Sequence, residues 1–257
     1  MATRRARLDR ELVRRGLCAD PAAAWTLIDD GRVLVGGAPA PNAGRLVSAA
    51  EPVVVADADA DYASRGGHKL AAALDGFAVD PAGKRVLDAG ASAGGFTDCL
   101  LRRGAARVYA VDVGRGQLLS RLADDPRVVV MDRCNVRRLA PSDIDSPVEL
   151  LTADLAFISL RTVMASLAGL TAPGGDAVLL VKPQFEVARA DADRGGGVVT
   201  DGALVRRTVD DVARCAAEHG LEPCAEMESP LRGAAGNVEV FVHARRRAGA
   251  GEPAGAP

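Results

Sequence analysis

One stretch of this sequence, residues 86–97, reads Val86-Leu87-Asp88-Ala89-Gly90-Ala91-Ser92-Ala93-Gly94-Gly95-Phe96-Thr97. Its apolar beginning is typical of a buried strand, the glycines that follow are typical of a tight turn, and its end begins a helix. Glycine allows a backbone to approach a ligand closely, and a helix N-terminus offers free N–H groups. The stretch therefore predicts a loop that holds a nucleotide-like cofactor. Its candidate binding residues are Gly90, Ala91, Ser92, Gly94, Gly95, Phe96 and Thr97.

Two aspartates extend this candidate cofactor site. Asp112 follows a predicted strand at 107–111, and Asp132 follows another at 127–131. Ligands of parallel sheets bind outside the carboxyl ends of the strands, so we expect both carboxylates near the glycine loop. A tight turn without a ligand would explain the glycines alone, but not the two acids. The nicotinamide fingerprint is G-x-G-x-x-G, whereas the spacing here is D-x-G-x-x-x-G-G, which disfavours an oxidoreductase.

Strands and helices alternate along residues 64–245 and predict an α/β fold. Continuous apolar strands separated by helices are typical of a parallel sheet covered on both faces. The loop between the last two strands is short, which predicts that they form an antiparallel closing pair. The predicted strands span 85–89, 107–111, 127–131, 149–153, 176–181, 221–227 and 238–243. The predicted helices begin at Ser64 and lie near 95–103, 116–123, 159–170 and 203–219.

Residues 1–56 predict a separate small domain of two helices and a small sheet. Helices are expected at 7–16 and from Asp20-Pro21 to about residue 30, with strands at 32–35 and 52–55. Six of the eight arginines in residues 1–55 lie within the first fifteen positions. They could form a helix-end surface that contacts phosphates, and a solvated helix face salt-bridged to Asp9 and Glu11 would also explain them. The candidate RNA-binding arginines are Arg4, Arg7, Arg10, Arg14 and Arg15.

The remaining boundaries follow from composition. Residues 57–63 are acidic and lack apolar periodicity, so they are interpreted as a linker. The catalytic domain is expected at 64–245. Residues 246–257 are rich in alanine, glycine and proline, which predicts a disordered tail.

Lysine is rare in this sequence, and its placement is informative. Of the 32 basic residues, 29 are arginines and only Lys69, Lys84 and Lys182 are lysines. Arginine keeps its proton in a protein, whereas lysine can lose it. Lys182 ends the predicted strand 176–181 and Asp154 follows the predicted strand 149–153, so we expect both at one sheet edge. The simpler alternatives are a strand-end lysine that reaches water and, for Lys69, a solvated helix residue.

Several motifs together resemble the TlyA family of FtsJ-like ribosomal RNA 2′-O-methyltransferases, historically also called hemolysins. They are the glycine loop, Ser64-Arg65-Gly66-Gly67-His68-Lys69-Leu70, Val181-Lys182-Pro183-Gln184-Phe185-Glu186 and Ser229-Pro230-Leu231 with Gly236-Asn237-Val238-Glu239. Residues 7–55 resemble the RNA-binding domain named after ribosomal protein S-four. The resemblance implies a class I, Rossmann-like methyltransferase sheet of seven strands with a small α+β N-terminal RNA-binding domain. It also implies S-adenosyl-L-methionine as the cofactor and ribosomal RNA or a ribosomal subunit as the partner.

The same resemblance implies roles for individual residues. The family's K-D-K-E tetrad falls on Lys69, Asp154, Lys182 and Glu239. Lys182 is expected to take the proton of a ribose 2′-hydroxyl and Lys69 to position that hydroxyl or a phosphate, while the two acids orient the lysines. Arg65 is expected to contact RNA. Family members modify cytidines of large-subunit RNA, some also of small-subunit RNA, and the arginine-rich start resembles the second kind.

Composition argues against several other classes of protein. The five cysteines are scattered without a C-x-x-C pair, so no metal site and no disulfide framework is expected. No apolar run reaches the length of a membrane span, and the N-terminus lacks the apolar segment of a secretory signal. A cytoplasmic monomer without a membrane partner is therefore expected. The net charge of −2 gives no basic footprint over the whole chain, which argues mildly against nucleic-acid binding.

Two other functions stay open at this point. A non-catalytic RNA-binding assembly factor would share the N-terminal domain, but it would not require an intact tetrad. A membrane-active hemolysin would require a spanning or amphipathic membrane segment, and none stands out in the sequence.

Overall fold

The computed structural model describes residues 5–29, 32–36, 38–40, 42–55, 62–188, 197–233 and 236–248. Separate hydrophobic cores lie in the part before residue 56 and in the part from residue 62 onwards. Of the predicted linker only residues 62 and 63 fall within the described ranges, and the predicted tail is described only as far as residue 248.

The N-terminal unit packs two helices with two small antiparallel sheets. Its elements are β1 (Arg5–Arg7), α1 (Leu8–Arg14), α2 (Pro21–Asp29), β2 (Val33–Val35), β3 (Ala38–Pro39), β4 (Leu46–Ser48) and β5 (Val53–Val55). β1 pairs with β4, and β2 lies between β3 and β5. The two predicted helices are confirmed, and Asp20 Oδ1 accepts a hydrogen bond from Ala23 N at 2.8 Å as an N-terminal cap should. β1, β3 and β4 were not predicted, because strands of two or three residues carry almost no periodicity.

A seven-stranded sheet forms the centre of the larger unit. Its strands are β6 (Arg85–Ala89), β7 (Arg107–Val111), β8 (Val128–Met131), β9 (Val148–Ala153), β10 (Thr171–Val181), β11 (Leu221–Glu228) and β12 (Val240–Arg246). Their order across the sheet is β11-β12-β10-β9-β6-β7-β8. β6 to β10 run parallel, and β12 is antiparallel to both β10 and β11. The predicted α/β class and the antiparallel closing pair are confirmed.

Helices cover both faces of this sheet and bury an apolar core on each. They are α3 (Arg65–Gly76), α4 (Gly95–Arg102), α5 (Ser120–Ala123), α6 (Leu160–Leu170), α7 (Pro183–Glu186) and α8 (Gly202–Glu218). α3 begins at Ser64, whose side chain accepts a hydrogen bond from Gly66 N. On one face Leu70 and Leu74 of α3 pack with α4, and on the other Met164 of α6 packs with α8. Each such fully buried side chain contributes about 1.5–3 kcal/mol.

Three element boundaries differ from the prediction. β10 begins at Thr171, five residues early, because the pairing shifts register between Thr171 and Asp176 and absorbs a Pro-Gly-Gly segment that is typical of a turn. α5 begins at Ser120 rather than near residue 116, since Gly116 adopts a left-handed conformation with φ +60°. β12 begins at Val240, so Glu239 precedes the strand in which it was expected.

The direction of the chain across the sheet reverses next to β6, which has β7 on one side and β9 on the other. Ligands of such sheets bind at the carboxyl ends of the strands where this reversal occurs. Here Asp154 N donates to Ala89 O at 2.9 Å, which ties the residues after β9 to the end of β6. Gly90, with φ +89°, lies so close that a Cβ atom would stand 2.4 Å from the carbonyl oxygen of Asp154.

We expect Gly90→Ala to destabilise the fold by about 2–5 kcal/mol, because it adds a backbone clash to the cost of a left-handed alanine. Chemical denaturation without ligand measures this change. The matched control is Gly116→Ala, where φ is +60° but nothing lies within 4 Å of the added atom. That variant should lose only about 1–2 kcal/mol. Equal losses in the two variants would contradict the importance of the close approach.

Candidate active site at the carboxyl edge of the sheet

Lys182 and Asp154 form an ion pair at the carboxyl edge of two neighbouring strands. Lys182 follows β10 directly, and the helical turn of α7 begins with Pro183. Asp154 follows β9, the parallel neighbour of β10. The Lys182 Nζ atom contacts Asp154 Oδ1, and both side chains are largely shielded from water. The two residues that the sequence placed at one edge are therefore in direct contact.

Lys69 and Glu239 form a second ion pair, which is more deeply buried. Lys69 Nζ lies 2.6 Å from Glu239 Oε2, and the two side chains are only 10% and 3% exposed. Lys69 is buried on α3, so it is not the solvated helix lysine of the simpler alternative. Glu239 lies immediately before β12, where Val240 pairs with Val181. This register brings Glu239 alongside Lys182, so both ion pairs lie at the same edge of the sheet.

Unsatisfied polar atoms occur at the same place. Within the described residues, the buried side-chain atoms that lack a hydrogen-bond partner are Asp154 Oδ1 and Gln184 Oε1. Asp154 Oδ1 contacts the Lys182 ammonium without accepting an aligned hydrogen bond, and Gln184 lies two residues after Lys182. Buried polar groups are normally hydrogen-bonded, so these two oxygens have acceptor capacity left for a polar ligand. The sequence analysis did not single out Gln184.

The glycine loop is shaped by packing within the protein as well as by ligand access. A Cβ atom at Gly94 would lie 2.3 Å from the Leu122 side chain, and one at Gly95 would lie 2.2 Å from Ser64 Oγ. Phe96 is buried against Phe241. The Thr97 hydroxyl donates to Asp88 at 2.7 Å. The side chains of Phe96 and Thr97 therefore face the protein core, although both were predicted to bind the cofactor.

Backbone N–H groups hold the side chains of the two predicted acids in place. Asp112 Oδ2 accepts from Ser92 N at 2.8 Å, and its Oδ1 accepts from Gly114 N at 2.7 Å. Asp132 is exposed and accepts from Gly116 N at 2.7 Å. Both carboxylates thus keep acceptor capacity, and Asp112 lies directly beside the glycine loop. These two acceptors fit the ribose hydroxyl and amine donors of a nucleoside such as S-adenosylmethionine.

Asp88 is a buried acid in this region that sequence reasoning did not single out. It lies in β6 and is fully buried, with hydroxyl donors from Thr97 at 2.7 Å and Thr152 at 3.3 Å. Burial raises the pKa of Asp88 to about 7, and the nearby Asp154 charge adds to this effect. A charged residue inside an apolar strand was the available signal in the sequence.

An exposed aromatic side chain lies a few residues beyond Asp154 of the Lys182–Asp154 pair in the sequence. Phe157, three residues after Asp154, is 91% exposed and has a left-handed backbone with φ +64°. Its ring centroid lies 5.3 Å from that of Phe185, which follows Lys182 by three residues. A phenylalanine with this exposure and conformation is unfavourable for folding alone, so it points to a binding surface.

The predicted RNA-binding arginines fall into two groups. Arg7 is paired with Asp9, while Arg14 and Arg15 both bind Glu11. These contacts match the alternative of a salt-bridged helix face. Arg10 and Arg65 are exposed and have no side-chain partner among the described residues, whereas Arg4 lies outside those residues.

In the described part of the chain, no group of three or more His, Cys, Asp or Glu side chains is arranged to hold a metal ion. No helix in that part is long and apolar enough to cross a membrane.

The chain was compared with known proteins. Residues 62–246 match the model of the FtsJ-like methyltransferases. The 16S/23S rRNA (cytidine-2′-O)-methyltransferase TlyA of Mycobacterium tuberculosis is 50% identical over 94% of this chain and 90% of that protein. Hemolysin A of Brachyspira hyodysenteriae is 32% identical over 92% of this chain and 98% of that protein.

Two solved structures have a fold similar to that of this chain. A hemolysin-named protein from Streptococcus thermophilus superimposes with a TM-score of 0.73 and 32% identity, covering 96% of this chain and 90% of that one. An S-adenosylmethionine-dependent methyltransferase from Listeria monocytogenes shares the fold with a TM-score of 0.54 at 14% identity, covering 71% of this chain and 98% of that one. The predicted Rossmann-like methyltransferase fold is confirmed.

We expect the buried Asp88 to make stability depend on pH. Its folded pKa of about 7 exceeds its ordinary value, so the folded state binds the extra proton and the free energy of unfolding falls as pH rises from about 4 to about 7. Asp88→Asn removes this dependence. Between those limits the stability difference should shift in favour of the variant by as much as about 4 kcal/mol. Urea unfolding across this pH range measures the shift, and a difference that is constant with pH would contradict it.

Proposed function

The chain belongs to the FtsJ-like methyltransferases, and from that membership we propose that it methylates the ribose 2′-hydroxyl of cytidines in ribosomal RNA with S-adenosyl-L-methionine as the methyl donor. The observation that carries the proposal is the Lys182–Asp154 contact, with the Lys69–Glu239 pair at the same edge beside the cofactor loop. We place the activity in the cytoplasm, with ribosomal RNA or a ribosomal subunit as partner.

In this proposal the glycine loop and two acids hold the cofactor. Gly90, Ala91 and Ser92 form the turn, Asp112 receives the ribose hydroxyls, and Asp132 lies on the adenine side. When bound, S-adenosylmethionine supplies an electrophilic methyl group on a positively charged sulfur. The buried oxygens Asp154 Oδ1 and Gln184 Oε1 lack hydrogen-bond partners, which supports a polar ligand beside them.

The lysine–acid pairs then act on the ribose. An alcohol is a poor nucleophile until its proton leaves. Lys182 first gives a proton of its ammonium to solvent, and the neutral amine then accepts the proton of the 2′-hydroxyl as the carbon–oxygen bond forms and the methyl–sulfur bond of the donor breaks. Asp154 holds that amine in place through their direct contact. Lys69, fixed by Glu239 at 2.6 Å, positions the hydroxyl or an adjacent phosphate. Alignment of the reacting atoms supplies much of the rate in such a site.

The exposed Phe157–Phe185 pair supports an RNA substrate. Sequence-specific RNA recognition uses unpaired bases, which stack on aromatic side chains. The Phe157 ring contacts Phe185, which lies in the helical turn that begins directly after Lys182. A base stacked on Phe157 would therefore leave its ribose near Lys182. The chain contains few aromatic residues, so a single pair rather than a broad platform is in keeping with its composition.

The choice of subunit rests on the relatives. One relative at 50% identity is named for both 16S and 23S rRNA, and one from Campylobacter jejuni at 30% identity is named for 23S rRNA alone. We propose that this chain acts on large-subunit RNA and also on small-subunit RNA. The N-terminal unit would bind the RNA, with the exposed Arg10 as one phosphate ligand.

Lys182→Ala should lower kcat for methyl transfer to ribosomal RNA by about 10²- to 10⁴-fold, because it removes the base. Lys182→Arg should be similarly impaired, since a guanidinium cannot accept the proton. Transfer of labelled methyl groups measures both. The control is Lys84→Ala, which removes a lysine paired with Asp176 near the opposite end of β6. Substantial activity in Lys182→Arg would show that a positive charge, rather than a base, is required.

Phe157→Ala should raise KM for RNA by about tenfold or more, because base stacking contributes about 1–3 kcal/mol. The affinity for S-adenosylmethionine, followed by calorimetry, should not change. Phe157→Trp preserves a stacking surface and should keep KM near the wild-type value. A loss in Phe157→Trp as large as in Phe157→Ala would rule out stacking as the role of this side chain.

A further inference from the structure

The arginines of the larger unit differ in whether they have an acidic partner. Many are bound to carboxylates, as Arg103 is to Asp75 and Arg127 is to Asp125. Four that follow β7 and β8 are not, and we call them the edge arginines. They are Arg115, Arg133, Arg137 and Arg138. All four are exposed, and none has a side-chain hydrogen bond or ion pair with any described residue.

The backbone beneath the first two edge arginines is firmly held. Arg133 N donates to Gly114 O at 2.8 Å, and Gly116 N donates to Asp132 Oδ2 at 2.7 Å. These bonds join the loop that carries Arg115 to the loop that carries Arg133. Arg133 also adopts a left-handed conformation with φ +52°, which is costly for a residue with a side chain. Such strain persists where the surrounding structure enforces it and is concentrated at binding sites.

The other two edge arginines project from a short 3-10 turn, Val136–Arg138. Val136 is buried, and Asn135 caps the turn by accepting from Arg137 N at 3.0 Å. Ser166 Oγ of α6 donates to Arg137 O at 2.9 Å. The backbone is therefore fixed from both sides, while the guanidinium groups have no partner among the described residues.

Nearby carboxylates are bound to backbone groups instead of these arginines. Asp112 accepts from two backbone N–H groups, Asp132 accepts from one, and Asp143 accepts from Ala140 N at 2.8 Å. Within the described residues, the segments that follow β7 and β8 thus present four unpaired guanidinium groups. A guanidinium has a planar set of donors that matches phosphate oxygens.

We propose that the edge arginines bind the phosphate backbone of the RNA strand next to the target nucleotide. This inference rests on the proposed function, since it assigns a docking surface to that substrate. Asp112 binds both Ser92 N of the glycine loop and Gly114 N beside Arg115, so the first two edge arginines lie on loops that adjoin the cofactor loop. The surface supplies the positive charge that the chain as a whole lacks.

The test uses the whole chain of 257 residues and its double variant Arg137→Gln/Arg138→Gln. The two substituted positions differ from the loops that carry Asp112 and Asp132. Two probes are used, large-subunit ribosomal RNA transcribed in vitro and unmodified large ribosomal subunits. KM for either probe should rise about tenfold while kcat stays within about twofold. The slope of log affinity against log salt concentration should become shallower by about 0.7 for each phosphate that the variant no longer neutralises on single-stranded RNA.

Two further variants make the result specific. Arg207→Gln removes an exposed guanidinium of α8 that has no partner among the described residues, and it should change neither KM nor the salt slope. Arg137→Lys/Arg138→Lys keeps the charge and should restore most of the salt slope. Arg115→Gln and Arg133→Gln are measured singly together with cofactor affinity, since their loops carry Asp112 and Asp132.

The outcomes separate this inference from the function on which it rests. RNA binding is measured directly, so it can be read even if the wild type transfers no methyl group, a result that would refute the proposed function alone. Unchanged KM and salt slope in the double variant would overturn the docking surface. Weaker binding to subunits with unchanged binding to free RNA would also overturn it, because the partner would then be a ribosomal protein.

Discussion

The close approach between the turn after β6 and the residue after β9 is the constraint on which the rest of the site depends. Gly90 has no side chain, so the Asp154 carbonyl can lie against it, and Asp154 N can bond to Ala89 O at 2.9 Å. This contact places the cofactor loop and the Lys182–Asp154 pair on the two sides of one crevice. A bulkier residue would separate the methyl-donor position from the base by the thickness of a side chain.

Two buried ion pairs are a costly way to stabilise a protein. Desolvation of the charges can exceed their attraction, and apolar residues of similar volume are often equally stabilising. Lys69 and Glu239 are nevertheless almost fully buried, and Asp154 retains an oxygen without an aligned hydrogen bond. Stability alone does not account for this arrangement, whereas the proposed roles in moving a proton and orienting a hydroxyl do. Asp88 is a further buried acid in this region, and burial raises its pKa to about 7.

The sequence was most informative where periodicity and motif spacing act together. β6 and β7 were predicted to the residue, and Asp154 and Lys182 were correctly brought to one edge. The division of the tetrad into two ion pairs was not predictable, because Glu239 reaches Lys69 only through the antiparallel register of β12. Phe157 was missed for a different reason. Neither its exposure nor its left-handed backbone has a signature in a single sequence.

Net charge was a poor guide to the interactions of this chain. The value of −2 argued against nucleic-acid binding, yet it counts every charge alike, including arginines whose charge is already compensated. Glu11 alone binds both Arg14 and Arg15, and this contact lowers its pKa to about 2, so these arginines contribute little free positive charge. A phosphate backbone interacts with individual unpaired guanidinium groups, so their positions on the surface decide where it binds. In the described part of the larger unit, four of these follow β7 and β8, so a chain with no overall basic character can still present a locally positive surface beside its active site.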